Sequence, residues 1–337
     1  MSAKNWILGV FLCVPLLSYS SDNMMKIDHF HSIISKHILK WSKNIDDMIY
    51  DTFGDSNKTC ETFKLEENNK EESLDAFFQT NKYLNDTEDT YVRLRIGEYI
   101  QSKESNDFKL RLSAQFPLSR TKNSFKLFMR DIEAKDVKNA VQNTLEEENY
   151  NADLGINYDA PKIHKLRSKY SIGFSGLHPF IGARYSLLLK TKTWDIDTVE
   201  TLRYASNNIF EEETNIYFDN YYDDSAFFRV QLHRKTETDI AGMDYGFIFQ
   251  YYYNPSKTTG LKSTIAFLGN TQYKYSEDTA SYAGINNYFA SVSWRENIGR
   301  KWFYYELRPT INFHRKHDYK ANYSLLLMFD FYFGKYH

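Results

Sequence analysis

Tyr323-Ser324-Leu325-Leu326-Leu327-Met328-Phe329-Asp330-Phe331-Tyr332-Phe333 decides the fold. Tyr323, Leu325, Leu327, Phe329, Phe331 and Phe333 recur at every second position without a break, which is the period of a β-strand. One face is therefore wholly apolar. The other mixes Ser324 and Asp330 with Leu326 and Met328. Such a strand needs apolar surroundings on one side, either the core of a soluble sandwich or lipid.

Working back from this strand, the same period runs to Tyr91. Val92, Leu94 and Ile96 alternate with Arg93 and Arg95; Phe108, Leu110, Leu112, Ala114 and Phe116 alternate with Lys109, Arg111, Ser113 and Gln115. Ile181, Ala183, Tyr185, Leu187 and Leu189 alternate with Arg184, Ser186 and Lys190. Ala226, Phe228, Val230 and Leu232 alternate with Arg229, Gln231 and His233, and Phe303, Tyr305, Leu307, Ile311 and Phe313 with Glu306, Arg308, Asn312 and His314. Each run has the length of a tilted strand crossing a bilayer. Turn signals separate the runs: Ser206-Asn207-Asn208, Asp223-Asp224, Asn254-Pro255-Ser256 and Glu296-Asn297-Ile298-Gly299.

Such an unbroken meander must pair its edges, and closure does so. The expectation is all-β: an antiparallel up-and-down transmembrane β-barrel of about 14 strands, with 12 the alternative, preceded by an N-terminal periplasmic amphipathic helix. An even count returns the C-terminus to the side of the N-terminus. The longest connection, 132–147, belongs outside the cell.

Composition agrees. Aromatics make up 17% of the 337 residues, with 27 Tyr and 25 Phe, an excess that two interfacial girdles would use. A formal net charge of -2 gives no support to a nucleic-acid binder.

Lys4 followed by the apolar run Trp6 to Leu17, then Ser18-Tyr19-Ser20, reads as a signal peptide over 1–20 cleaved before Ser21. The run is short for a membrane anchor. Leu12 stands where a lipoprotein cysteine at Cys13 would need a small residue. Cleavage leaves Cys60 alone, with no cysteine to pair with. The domains expected are thus 1–20, a periplasmic helical segment with an acidic linker over 21–89, and an outer-membrane β-barrel over 90–337.

Residues 24–50 have a helical period. Met24, Ile27, Phe30, Ile33, Ile34, His37, Ile38, Trp41, Ile45, Met48 and Ile49 fall on one face, and Gly54 closes the segment. The expectation is an amphipathic helix docked on the barrel base; a plug, or pairing with a periplasmic partner, are the alternatives. Residues 55–89 read as a solvated acidic linker with one short helix near Leu74 to Phe78.

The barrel region resembles a family of exported proteobacterial outer-membrane barrels of uncharacterised activity. The residues that carry the resemblance are Tyr91-Val92-Arg93-Leu94-Arg95, Pro179-Phe180-Ile181-Gly182-Ala183-Arg184-Tyr185, Trp302-Phe303-Tyr304-Tyr305-Glu306-Leu307-Arg308-Pro309 and Phe333-Gly334. They span roughly 91–334. The closing strand also resembles the C-terminal signal read by the barrel-assembly machinery, although Gly334-Lys335-Tyr336-His337 follow its last alternating aromatic. The resemblance implies fold and location, and no activity.

No catalytic constellation, cofactor site or metal spacing stands out. His164, His178 and His233 have Leu166, Phe180 and Lys235 where a lipid hydrolase would place Ser. His317-Asp318 lies in an outer turn and reads as an ordinary charged turn. Asp195, Asp197 and Glu211-Glu212-Glu213 could hold Ca²⁺ weakly, but read better as strand ends.

The more informative set is Arg93, Arg95, Lys109, Arg111, Arg184, Arg203, Arg229, Arg295 and Arg308, which alternation places on the lumen-facing side with Glu98, Asp244, Glu306 and Asp330. Phe128, Leu188, Ile248, Phe289, Leu326 and Met328 share that side, which suggests a narrow, partly filled lumen. The functional expectation is a porin-like channel or binder for small, anionic solutes. The rivals are a closed structural barrel for envelope integrity and, third, an outer-membrane hydrolase.

Overall fold

A computed structural model of the chain describes residues 21–53, 74, 77–78, 90–118, 125–133, 153–207, 209–238, 241–273 and 282–334. The expected signal peptide, Gly54, Cys60 and residues 134–147 of the long connection lie outside them.

Helix α1 (Ser21–Phe53) precedes the strands β1 (Tyr91–Gln101), β2 (Asp107–Pro117), β3 (Phe125–Glu133), β4 (Asp153–Asp159), β5 (Leu166–Ser175), β6 (His178–Lys190) and β7 (Asp195–Ala205). Then follow β8 (Phe210–Tyr221), β9 (Ala226–Glu237), β10 (Asp244–Ser256), β11 (Thr259–Tyr273), β12 (Tyr282–Asn297), β13 (Phe303–His314) and β14 (Asn322–Gly334). Every strand pairs antiparallel with its sequence neighbours, and β1 closes on β14, Tyr91 opposite Gly334 and Gln101 opposite Ser324. The count is therefore 14, and closure leaves no free edge.

β14 shows why the sheet closes with this hand of in and out. Ser324, Leu326, Met328, Asp330 and Tyr332 are buried, while Tyr323, Leu325, Leu327, Phe329, Phe331 and Phe333 turn outward. A one-residue slip would exchange the two sets, so the pattern fixes the register. The outer wall continues with Ile172, Ile181, Phe247, Phe249, Ile265, Phe267 and Val292, all exposed.

The closure register also corrects one reading. Glu98 lies opposite outward-facing Leu327, so it belongs to the outer face and not the lumen. Its parity differs by one from that of Arg93 and Arg95.

The start of β1 and the end of β14 meet at one rim, here called the terminal rim, and α1 docks there. His31 Nε2 donates to the backbone carbonyl of Tyr332 at 2.6 Å, and its ring stacks on Trp302 at 4.2 Å. Gly334 N–H donates to Ser35 Oγ at 3.3 Å, and Arg300 Nε to Asp28 Oδ1 at 2.5 Å. The residues α1 buries are Ser35, Ser42 and Asp46; Ile27, Phe30, Ile33, Trp41 and Met48 are exposed. An amphipathic helix commonly docks by its apolar face. The barrel rim instead offers backbone carbonyls, an N–H and an arginine, which polar side chains satisfy better than apolar ones.

The reading of 55–89 as a solvated linker is corrected at its three described residues. Leu74, Phe77 and Phe78 are buried with Phe227, Tyr252, Tyr304 and Tyr332 inside the terminal end of the barrel. Small barrels of 8 strands fill their interiors with wall side chains, whereas 16–18 strands leave an aqueous channel. Fourteen strands fall between, and here the chain's own upstream segment supplies part of the filling.

Candidate functional site: the barrel interior

The lumen is layered. At the terminal rim lies the aromatic cluster around Phe77 and Phe78. Phe227 and Tyr252 stack at 4.4 Å, and Phe77 meets Tyr304 edge-on at 5.7 Å. Gly260 of β11 makes the room: a Cβ there would come within 2.5 Å of Phe77 and 2.7 Å of Phe78. A glycine inside a strand commonly marks such a close approach.

Next to the aromatic layer sits a charged one. Arg93 Nη2 and Arg95 Nε each donate to Asp330 at 2.9 Å, and Arg295 Nη1 also bonds Asp330. Arg308 Nη2 and Ser293 Oγ each donate to Glu306 Oε1 at 2.7 Å. Arg295 joins the layers, donating from Nε to the carbonyl of Phe77 at 2.9 Å and from Nη2 to the Tyr332 hydroxyl at 3.0 Å, while its guanidinium lies 4.6 Å from the Tyr304 ring. These bonds set four guanidiniums against two carboxylates. Arg95 is also in register with Arg111 of β2, so two cationic side chains stand side by side on the wall. Burial of that much positive charge is tolerated only with pairing or water.

Elsewhere on the wall the arginines have their own acids. Arg229 grips Asp219 through two bonds, 2.7 and 2.8 Å, with both side chains almost fully buried. Arg203 donates to Asp153 at 3.0 Å and lies 4.2 Å from the Phe180 ring. Lys126 meets Asp159 at 3.0 Å. Arg184 points inward from β6 beside Ser186, which donates to Asp197 at 2.9 Å. Asp244 is inward too, accepting from Asn270 at 2.6 Å. Apolar patches interrupt these pairs: Phe128, Phe180 and Ala205 form one, Ile248, Ala266 and Phe289 another.

The acidic positions weighed for calcium are engaged with side chains. Glu212 pairs with Arg234, and Glu211 lies 3.6 Å from Lys235. Asp197 accepts from Ser186 and lies 3.9 Å from Arg167. At the opposite rim His317 faces Glu104 at 3.2 Å, and Asp318 turns to Lys320 at 3.4 Å, so the two do not form an Asp-His pair.

Sequence reading missed the part played by Leu74, Phe77 and Phe78. Their signal was present, since Leu74, Phe77 and Phe78 cluster directly after the charged run Glu66–Glu72.

No family model and no curated protein matches the chain. Solved structures do. The KdgM porin in complex with disordered oligogalacturonate matches at 9% identity, covering 73% of this chain and 99% of that one, with a TM-score of 0.36. A loop-deleted OmpT, an outer membrane protein of Vibrio cholerae, matches at 7% identity over 73% of this chain and 98% of that one, TM-score 0.45. Pseudomonas aeruginosa OprD matches at 6% over 72% and 94%, TM-score 0.40. Likeness at this level is one of architecture, not of activity.

Proposed function

We propose that the protein is an outer-membrane β-barrel with a narrow, porin-like lumen for small anionic solutes. The observation that carries this reading is the charged layer, where four guanidiniums are bonded to two carboxylates inside a wall that is apolar on its outer face. A lipid environment is what an outer face bearing Ile172, Ile181, Ile265 and Val292 requires. A lumen layer in which, among the described residues, guanidiniums outnumber the carboxylates they bond favours anions over cations. In this reading residues 1–20 export the chain, and the outward row Tyr323, Leu325, Leu327, Phe329, Phe331 and Phe333 is what the barrel-assembly machinery recognises.

Single-channel conductance of the refolded protein in a planar bilayer tests it, with selectivity taken from the reversal potential under a salt gradient. Small steady steps with anion preference support the channel. Cation preference overturns the anionic assignment.

A second reading, a closed barrel serving envelope integrity, is favoured by one observation: Leu74, Phe77 and Phe78 fill the terminal end. Silence from a correctly folded, heat-modifiable barrel would select it.

A further inference from the structure

Helix α1 buries the side that amphipathic helices usually leave in water. At 3.6 residues per turn, His31, Ser35, Ser42 and Asp46 share one buried or half-buried face, through which His31 and Ser35 meet the barrel. Phe30, Trp41 and Met48 fall on another line and are 64, 69 and 62% exposed, with Ile27 and Ile33 beside them. A helix packed on a protein core would bury this stripe.

Where the helix docks tells what covers the stripe. His31 stacks on Phe333 at 5.2 Å as well as on Trp302, and Phe333 belongs to the outward row of β14. The helix is therefore attached at the edge of the outer apolar wall, and its exposed stripe lies at the same rim. Lys26, Lys36, Lys40 and Lys43 are all exposed and lie along one flank of the stripe. An apolar stripe carrying a tryptophan and edged by lysines is the pattern of a helix lying in a membrane interface.

We infer that α1 rests on the lipid leaflet at the terminal rim, with Phe30, Trp41 and Met48 among the acyl chains and the lysines at anionic phospholipid headgroups. This rests on the reading of the barrel as membrane-spanning. Binding of α1 would hold the upstream chain close to the barrel end that Phe77 and Phe78 enter.

The test uses the full chain carrying Cys13→Ser and Cys60→Ser, refolded into vesicles of phosphatidylethanolamine and phosphatidylglycerol. A nitroxide is placed singly at Phe30→Cys, Trp41→Cys, Met48→Cys, Lys36→Cys and, on the barrel wall, Ile265→Cys. Collision rates are read with oxygen, which enters acyl chains, and with a water-soluble nickel chelate. The oxygen-to-nickel ratio at positions 30, 41 and 48 should exceed that at position 36 several-fold. It should fall when phosphatidylcholine replaces phosphatidylglycerol; a ratio indifferent to that exchange overturns the role given to the lysines. If position 265 reads as lipid while 30, 41 and 48 read as water, or as shielded from both reagents, the helix faces solvent or a protein partner and the inference fails. If position 265 also reads as water, the membrane-barrel reading itself fails.

Discussion

Arg295 Nε donates at 2.9 Å to the backbone carbonyl of Phe77, a residue that precedes it by 218 positions. The bond ties the upstream segment to the barrel wall. The same guanidinium also bonds Asp330 and the Tyr332 hydroxyl, so one buried side chain holds together the aromatic filling and the charged layer.

Loss of the filling should open the terminal end. Phe77→Ala with Phe78→Ala removes the two rings that Tyr252 and Tyr304 meet, and conductance in a planar bilayer should rise several-fold over the unaltered protein. Gly260→Val should do the same without touching the segment, because its side chain would occupy the space of both rings. Unchanged conductance in both variants would mean that the constriction lies elsewhere.

Charge reversal on the wall should change selectivity. Arg184→Glu and Arg308→Glu each place a carboxylate where a guanidinium faces the lumen, and the reversal potential should move toward cation preference. In a closed barrel the only effect would be destabilisation, most severe for Arg308→Glu because Glu306 would then face a like charge.

The Arg229–Asp219 pair should show the asymmetry of buried ion pairs. Asp219→Asn leaves Arg229 buried without its acid and should lower stability by on the order of 3–5 kcal/mol. Arg229→Met combined with Asp219→Leu should recover most of that loss. Urea midpoints of the refolded barrel, followed by heat-modifiable gel mobility, distinguish the two.

The outer wall should reject charge by depth. Ile265→Lys, at an exposed position of β11 opposite Phe249 and Ala290, should cost roughly 2–4 kcal/mol of folding free energy in a bilayer if the position lies near the midplane. The same substitution in detergent should cost less, since micelles deform around a lysine more readily than a bilayer does.

Much of this architecture was legible in the sequence because strand alternation is local. The row from Tyr323 to Phe333 reveals its faces by counting in twos, and the same counting separates Arg308 and Glu306 from Leu307. Closure was also legible, since an antiparallel meander with apolar faces cannot leave its edges bare. Partnerships were not. Nothing in the spacing of Arg93, Arg95, Arg295 and Asp330 says that three arginines share one carboxylate, because the contact joins β1, β12 and β14 only after the barrel closes.

Sequence by itself determined the strand period, the outward apolar wall, the polar inner face and an amphipathic helix ahead of the barrel, since each follows from side chains repeating along one segment. Tertiary structure alone decided which way that helix turns and where Phe77 and Phe78 lie. The spacing of apolar residues tells which face of α1 is greasy but not which surface that face meets. The rim of a closed barrel offers hydrogen-bonding groups, so Ser35 and His31 dock and Trp41 stays outside. Likewise, three apolar residues in an acidic stretch become a barrel filling only because a 14-strand wall leaves room that its own side chains do not occupy.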